Sequence, residues 1–141
     1  FTEEGRKVMR KKFVFIITHG NFGIELLKSV EMIMGEQKDA TALGLRLGDS
    51  VDNLRSKAED IITENQMANK DIIILVDILG GSPSNIALYM LKKYININLI
   101  TGVNMLMLIE IFQSREVKET DELLEKAIDS SIDGIKRYNL N

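Results

Sequence analysis

The chain has 141 residues, enough for one domain with a core of its own, and its 45% apolar and 28% charged residues suit a globular fold. It contains no cysteine and one histidine, which excludes disulfides, thiolate metal sites and a multi-histidine metal centre within one chain. A net charge of −3, with lysines and arginines scattered, supplies no basic field for nucleic acid.

No apolar run reaches the roughly 18 residues of a membrane span. Residues 13–18 are too few for the core of a signal peptide, so a cytoplasmic location is expected. Residues 1–8 read as a polar leader. Met9 then stands where a native start would fall, and residues 9–141 read as a single domain.

Strand and helix patterns alternate along the chain. Residues 13–18 form a continuous apolar run, the pattern of a strand covered on both faces. Leu26, Leu27, Val30, Ile33 and Met34 recur at three and four residues and predict a helix, ended by Gly35. Residues 40–46 predict a weaker edge strand. Gly48, Asp49 and Ser50 then give a turn and a cap for a second helix carrying Val51, Leu54, Ala58, Ile61 and Ile62 on one face.

Residues 72–76 are the most hydrophobic strand and belong at the centre. Ser82 as N-cap and Pro83 at the first helical position predict a third helix, with Ile86, Ala87, Met90, Leu91 and Tyr94 facing the sheet. Residues 97–101 predict a fourth strand. Residues 105–112 are apolar almost all round, Glu110 excepted, which is more than one sheet needs to cover and points to a second subunit. Thr120 predicts the cap of a last helix lined by Leu124, Ala127, Ile128, Ile132 and Ile135. The tail, residues 137–141, reads as a short edge strand or a frayed end.

This alternation predicts an α/β fold: a doubly wound, mainly parallel sheet in the order 2-1-3-4, flanked by helices with right-handed crossovers. Strands one and three are then neighbours, and a crevice opens at their C-terminal ends. His19 ends strand one and Asp77 ends strand three, so the sole histidine meets a carboxylate in that crevice. A carboxylate on one ring nitrogen fixes the tautomer and leaves a lone pair on the other, which is the need of a nucleophile or general base. Gly20, Gly80 and Gly81 lie beside helix starts, where free amides hold anions. Ser82 is either a cap or a hydroxyl for phosphate, and Thr18 is a weaker phosphate-binding candidate at the strand end. Nucleophile, carboxylate and anion-holding amides together suit phosphoryl transfer to histidine.

Other doubly wound proteins fit less well. The chain lacks G-x-x-x-x-G-K-[ST], G-x-G-x-x-G and G-x-S-x-G, the marks of P-loop, dinucleotide-binding and serine-hydrolase sites. It also lacks the acidic cluster of a receiver domain and the hydroxyl-rich phosphate loop of a flavodoxin after strand one.

Thr18-His19-Gly20, Glu25-Leu26-Leu27, Glu31-Met32, Gly35-Glu36 and Val76-Asp77-Ile78-Leu79-Gly80-Gly81-Ser82-Pro83 resemble the IIA domain of the mannose/fructose/sorbose family of the bacterial sugar phosphotransferase system. The run from Thr101 through Leu108 resembles the family's segment after strand four. The resemblance covers nearly the whole chain from Lys12.

It implies a phosphohistidine carrier in which His19 takes a phosphoryl group from the phosphocarrier HPr and passes it to a IIB domain, for sugar entering through membrane IIC and IID components. It implies that Asp77 orients His19, that Ser82 lies by the phosphate, and that no metal or cofactor is needed. It also implies a homodimer with an exchanged C-terminal strand. Asn21 and Phe22 replace an aromatic residue directly after His-Gly in some members, and Ile78-Leu79 replaces a threonine-tryptophan pair, so the surface met by partners differs. The same residues also suit the phosphotransfer subunit of a dihydroxyacetone kinase, or a non-catalytic anion-binding regulatory domain.

Overall fold

The computed structural model describes residues 9–140, together with the backbone of a two-residue antiparallel pairing of Thr2–Glu3 with Arg6–Lys7. The expected polar leader therefore lies largely outside the described residues.

The main sheet has four parallel strands: β1 (Lys12–His19), β2 (Ala40–Leu45), β3 (Asp71–Val76) and β4 (Ile97–Thr101). Their order is β2-β1-β3-β4, as the alternating pattern predicts. Helices α1 (Phe22–Met34), α2 (Val51–Met67), α3 (Ser82–Lys93), α4 (Met105–Ser114) and α5 (Thr120–Asp133) complete the fold.

Strand alternation sorts the core into two layers. Phe13, Phe15, Ile17, Ile72, Ile74 and Val76 point to the face covered by α2 and α3, where Leu54, Ala58, Ile62, Ile86, Ala87 and Met90 meet them. Val14, Ile16, Ile73 and Leu75 point to the opposite face, against Val30 of α1 and Met107, Leu108 and Ile111 of α4. Because β1 and β3 are buried on both faces, they carry hardly any polar residue until their C-terminal ends.

Several local expectations are corrected. Strand β1 begins at Lys12, not at Phe13; Lys12 is buried, and its Nζ donates to the Arg115 carbonyl at 2.7 Å, capping the end of α4. Helix α3 is capped by Gly81 in extended conformation, so Ser82 is the first helical residue and Pro83 the second. Glu119, not Thr120, occupies the cap of α5. The Thr120 hydroxyl is drawn inward instead, donating to Asp71 Oδ2 at 2.7 Å. Ile33 turns outward from the stripe of α1 and is exposed.

The apolar excess of α4 is met within the chain. Helix α5 packs on α4 through Leu123, Leu124 and Ala127, so α4 lies between the sheet and another helix. The Ser114 and Ser130 hydroxyls donate to Glu110, which seats the one acidic residue of α4 at that interface. The second-subunit explanation is thus not required by α4 alone. Leu106 remains exposed in a groove of about 760 Å³ shared with Leu99, Ile128, Ile132 and Ile135. Residues 135–140 carry neither helix nor strand.

Candidate functional site

The parallel register of β1 with β3 pairs Ile17 with Val76, so the next residues of both strands emerge side by side at their C-terminal ends. Asp77 accepts two hydrogen bonds on Oδ2: from the His19 backbone N–H at 2.9 Å and from the His19 ring at Nδ1, 2.8 Å away. Its other oxygen accepts from the Ile78 amide at 3.0 Å.

Burial alone would push the Asp77 carboxyl up, but the His19 amide and ring and the Ile78 amide together outweigh it and hold it below the usual carboxylate range. The group is therefore ionised at neutral pH and can only accept. Nδ1 of His19 must then carry a proton in that bond, which leaves Nε2 as the lone-pair nitrogen of the neutral imidazole. The His19 side chain is 47% exposed and that of Asp77 15%, so an open ring is steered by a sheltered carboxylate.

Gly81 lies against the other side of the imidazole. A Cβ at this position would stand 2.5 Å from His19 Cε1 and 2.9 Å from Nε2. Glycine here leaves the lone-pair side of the ring uncovered. Gly81 and Ser82 are the cap and first residue of α3, where backbone amides have no intrahelical acceptor. They stand at the positive end of α3, with the Cβ position of Gly81 against Cε1 and Nε2 of the ring.

The other candidates have different places. Gly20 has φ +56, and its amide donates to the Leu45 carbonyl at 2.6 Å, so it turns the chain out of β1 and its N–H is already engaged. Gly80 has φ +95, and its amide donates to the Ser84 hydroxyl at 2.9 Å. Both glycines are turn-formers, which corrects the expectation that their amides hold an anion. Thr18 is fully buried; its hydroxyl accepts from the Gly23 amide at 2.8 Å and donates to the His19 carbonyl at 3.2 Å. It ties the start of α1 to the strand end and has no reach into the open crevice, which corrects its place among the phosphate-binding candidates.

Two contributors escaped the sequence reading. The Ser84 hydroxyl spans the Gly80-Gly81 turn. Gly44 of β2 lets the Gly20 carbonyl pass where a Cβ would collide with it. A serine three residues beyond a helix cap is a recognisable sign of a bond back to the cap. The need for glycine at 44 depends on strand pairing and has no local sign. Among the described residues, no group of three or more His, Asp or Glu is placed to hold a metal ion. Among the same residues, no helix is long and apolar enough to cross a membrane.

The fold and the His-Asp pair at its switch point define a doubly wound protein built around a held imidazole. The family model for the PTS (sugar phosphotransferase system) fructose IIA component matches residues 13–128. The chain is 31% identical to the fructose-specific EIIA component of Bacillus subtilis (strain 168) over 111 residues, covering 79% of this chain and 75% of that protein. It is 32% identical over 124 residues to the mannose-specific EIIAB component of Escherichia coli (strain K12), covering 87% of this chain but only 38% of that longer protein.

Among solved structures, a phosphotransferase system component EIIA from Streptococcus agalactiae superposes with a TM-score of 0.81 at 31% identity, covering 89% of this chain and 96% of that one. A mannose/sorbose-specific IIA subunit from Enterococcus faecalis gives 0.82 at 27% identity, covering 93% and 97%. The chain belongs to the mannose/fructose IIA family of the sugar phosphotransferase system, a family of phosphotransferase components.

Proposed function

We propose that the chain is a cytoplasmic phosphohistidine carrier that takes a phosphoryl group from HPr onto His19 and passes it to a IIB domain, serving sugar uptake through membrane IIC and IID components. The observation that carries this reading is the geometry of one ring: Nδ1 bound to Asp77, with Cε1 and Nε2 against Gly81 at the start of α3.

In the proposed step, the Nε2 lone pair attacks the phosphorus of the donor's phosphohistidine. The donor's N–P bond breaks, and its electron pair returns to the donor ring. His19 becomes an N-phosphorylated imidazolium that keeps its Nδ1 proton, and its new positive charge faces the Asp77 carboxylate. The same step run onward hands the group to the nucleophile of the IIB domain. The Gly81 and Ser82 amides, with the Ser82 hydroxyl close by, are the donors for the phosphoryl oxygens. Because one N–P bond replaces another, positioning and charge shielding do the catalytic work. The working form is a homodimer in which the tail of each chain lies on the β4 edge of its partner.

Incubation with phosphoenolpyruvate, enzyme I and HPr should add one acid-labile phosphate per chain, and His19→Ala should accept none. Asp77→Ala should stay folded and accept phosphate on the order of tenfold to a hundredfold more slowly, the usual cost of losing an orienting partner. Label persisting on His19→Ala would overturn the assignment. Labelling by a dihydroxyacetone kinase system in place of a IIB domain would redirect it to that pathway.

A further inference from the structure

The Gly80-Gly81 turn is held on its N-terminal side by a side chain. Gly80 has φ +95, and its amide is met by a side chain, the Ser84 hydroxyl at 2.9 Å. The same hydroxyl donates to the Gly81 carbonyl at 3.1 Å. That carbonyl also accepts the first intrahelical bond of α3, from the Asn85 amide at 3.0 Å. One oxygen atom therefore bonds the peptides that flank the Gly80-Gly81 peptide, through the Gly80 N–H on one side and the Gly81 carbonyl on the other, and Ser84 itself is fully buried.

Gly81 is the residue that stands against His19 Cε1 and Nε2. The Gly81 amide belongs to the Gly80-Gly81 peptide, which lies between the two peptides that Ser84 bonds, and the Ser82 amide belongs to the Gly81-Ser82 peptide, whose carbonyl accepts from Ser84. Two consecutive glycines resist little on their own, since neither has a Cβ to narrow its φ and ψ. Without a tether the turn samples peptide orientations that swing the amide edge off Nε2.

We propose that Ser84 is a positioning residue of the transfer site: its hydroxyl, bridging the Gly80 amide and the Gly81 carbonyl, keeps the Gly81-Ser82 amide edge aimed at the space beside His19 Nε2. This rests on the phosphocarrier reading and adds to it a residue that touches neither the imidazole nor the phosphoryl group. The role requires a hydroxyl: alanine fills most of the same space but can neither accept from Gly80 nor donate to Gly81.

The test compares wild type, Ser84→Ala and Ser84→Thr, using the full chain and phosphorylated HPr. Melting curves establish that each variant is folded. Ser84→Ala should keep its KM for the donor within about twofold while its maximal transfer rate falls about five- to tenfold, the scale of losing one or two neutral hydrogen bonds. The ³¹P resonance of its phosphorylated His19 should move, and its Gly81 and Ser82 amide resonances should shift less on phosphorylation than those of wild type. Ser84→Thr, which keeps the hydroxyl, should recover most of the rate. A folded Ser84→Ala with wild-type rate and resonances overturns the proposal, as does one that only melts earlier. If alanine unfolds the chain, Ser84→Cys, with a weak donor and acceptor, replaces it, and a wild-type rate there also overturns the proposal. A wild-type chain that takes no phosphate overturns the carrier reading itself, an outcome distinct from wild type and Ser84→Ala labelling equally.

Discussion

One added carbon at position 81 probes the clearance around the imidazole. Gly81 has φ −98 and ψ 175, an extended conformation open to any residue, so Gly81→Ala brings no backbone strain. The new methyl would stand 2.9 Å from Nε2, the nitrogen assigned to phosphoryl transfer. We expect a folded protein whose transfer rate falls on the order of tenfold or more, as for a small misplacement at a reacting centre. Rapid-quench labelling from phosphorylated HPr measures it; a wild-type rate would show that the ring has slack.

The His19-Asp77 pair was legible because each residue is a polar break at the end of an apolar run, and parallel pairing brings such ends together. What the amides of Gly20 and Gly80 do was not legible. Their acceptors, Leu45 and Ser84, are chosen by the folded register and by a side chain four positions on.

At the scale of elements, periodicity located every helix and strand of the main sheet, and the errors fell at the ends and at single face positions, Ile33 and Leu91, both of which are exposed. Ser82 and Thr120 both have the chemistry of caps, and in each case the preceding residue holds the position. For Thr120 the competitor is tertiary: Asp71 offers a carboxylate that a local rule does not see.

Helix α4 shows the same limit. Its apolar circumference was plain in the chain, but whether α5 or another molecule covers it depends on the path of the chain after Ser114. Leu108, fully buried among the residues from the sheet, α4 and α5, tests that sandwich. Leu108→Ala should cost about 2–5 kcal/mol of stability by opening a cavity. Urea unfolding checks it, and a loss under about 1 kcal/mol would mean that the layer closes over the gap.

For the whole molecule, no strand among the described residues pairs with the outer side of β4, next to the groove lined by Leu99, Leu106, Ile128, Ile132 and Ile135. An apolar groove beside an open strand edge is a place for added chain, since free backbone groups can pair there while apolar side chains fill the groove. On the proposed dimer, the tail of a second copy occupies it. Sedimentation should give a dimer for the full chain and a shift toward monomer when residues 136–141 are removed. A monomeric full chain would leave the groove to another partner. The layered fold and strand order were readable from the alternation of two periods; the expectation of a dimer rested on the apolar excess of residues 105–112 and on family resemblance, because a self-association surface has no period of its own.

The double grip of Asp77 on His19 also bears on when the acceptor comes into being. Ring and backbone of His19 are held by one oxygen across 58 positions of chain. Among the described residues, no group nearer in the chain bonds the His19 ring, and contacts of such separation close only once the intervening strand and helices have docked. A nascent or partly unfolded chain therefore carries the histidine without its aim. On the carrier reading, a chain without that aim takes phosphate more slowly, and the rate at which label is acquired doubles as a report that β1 and β3 have found their register.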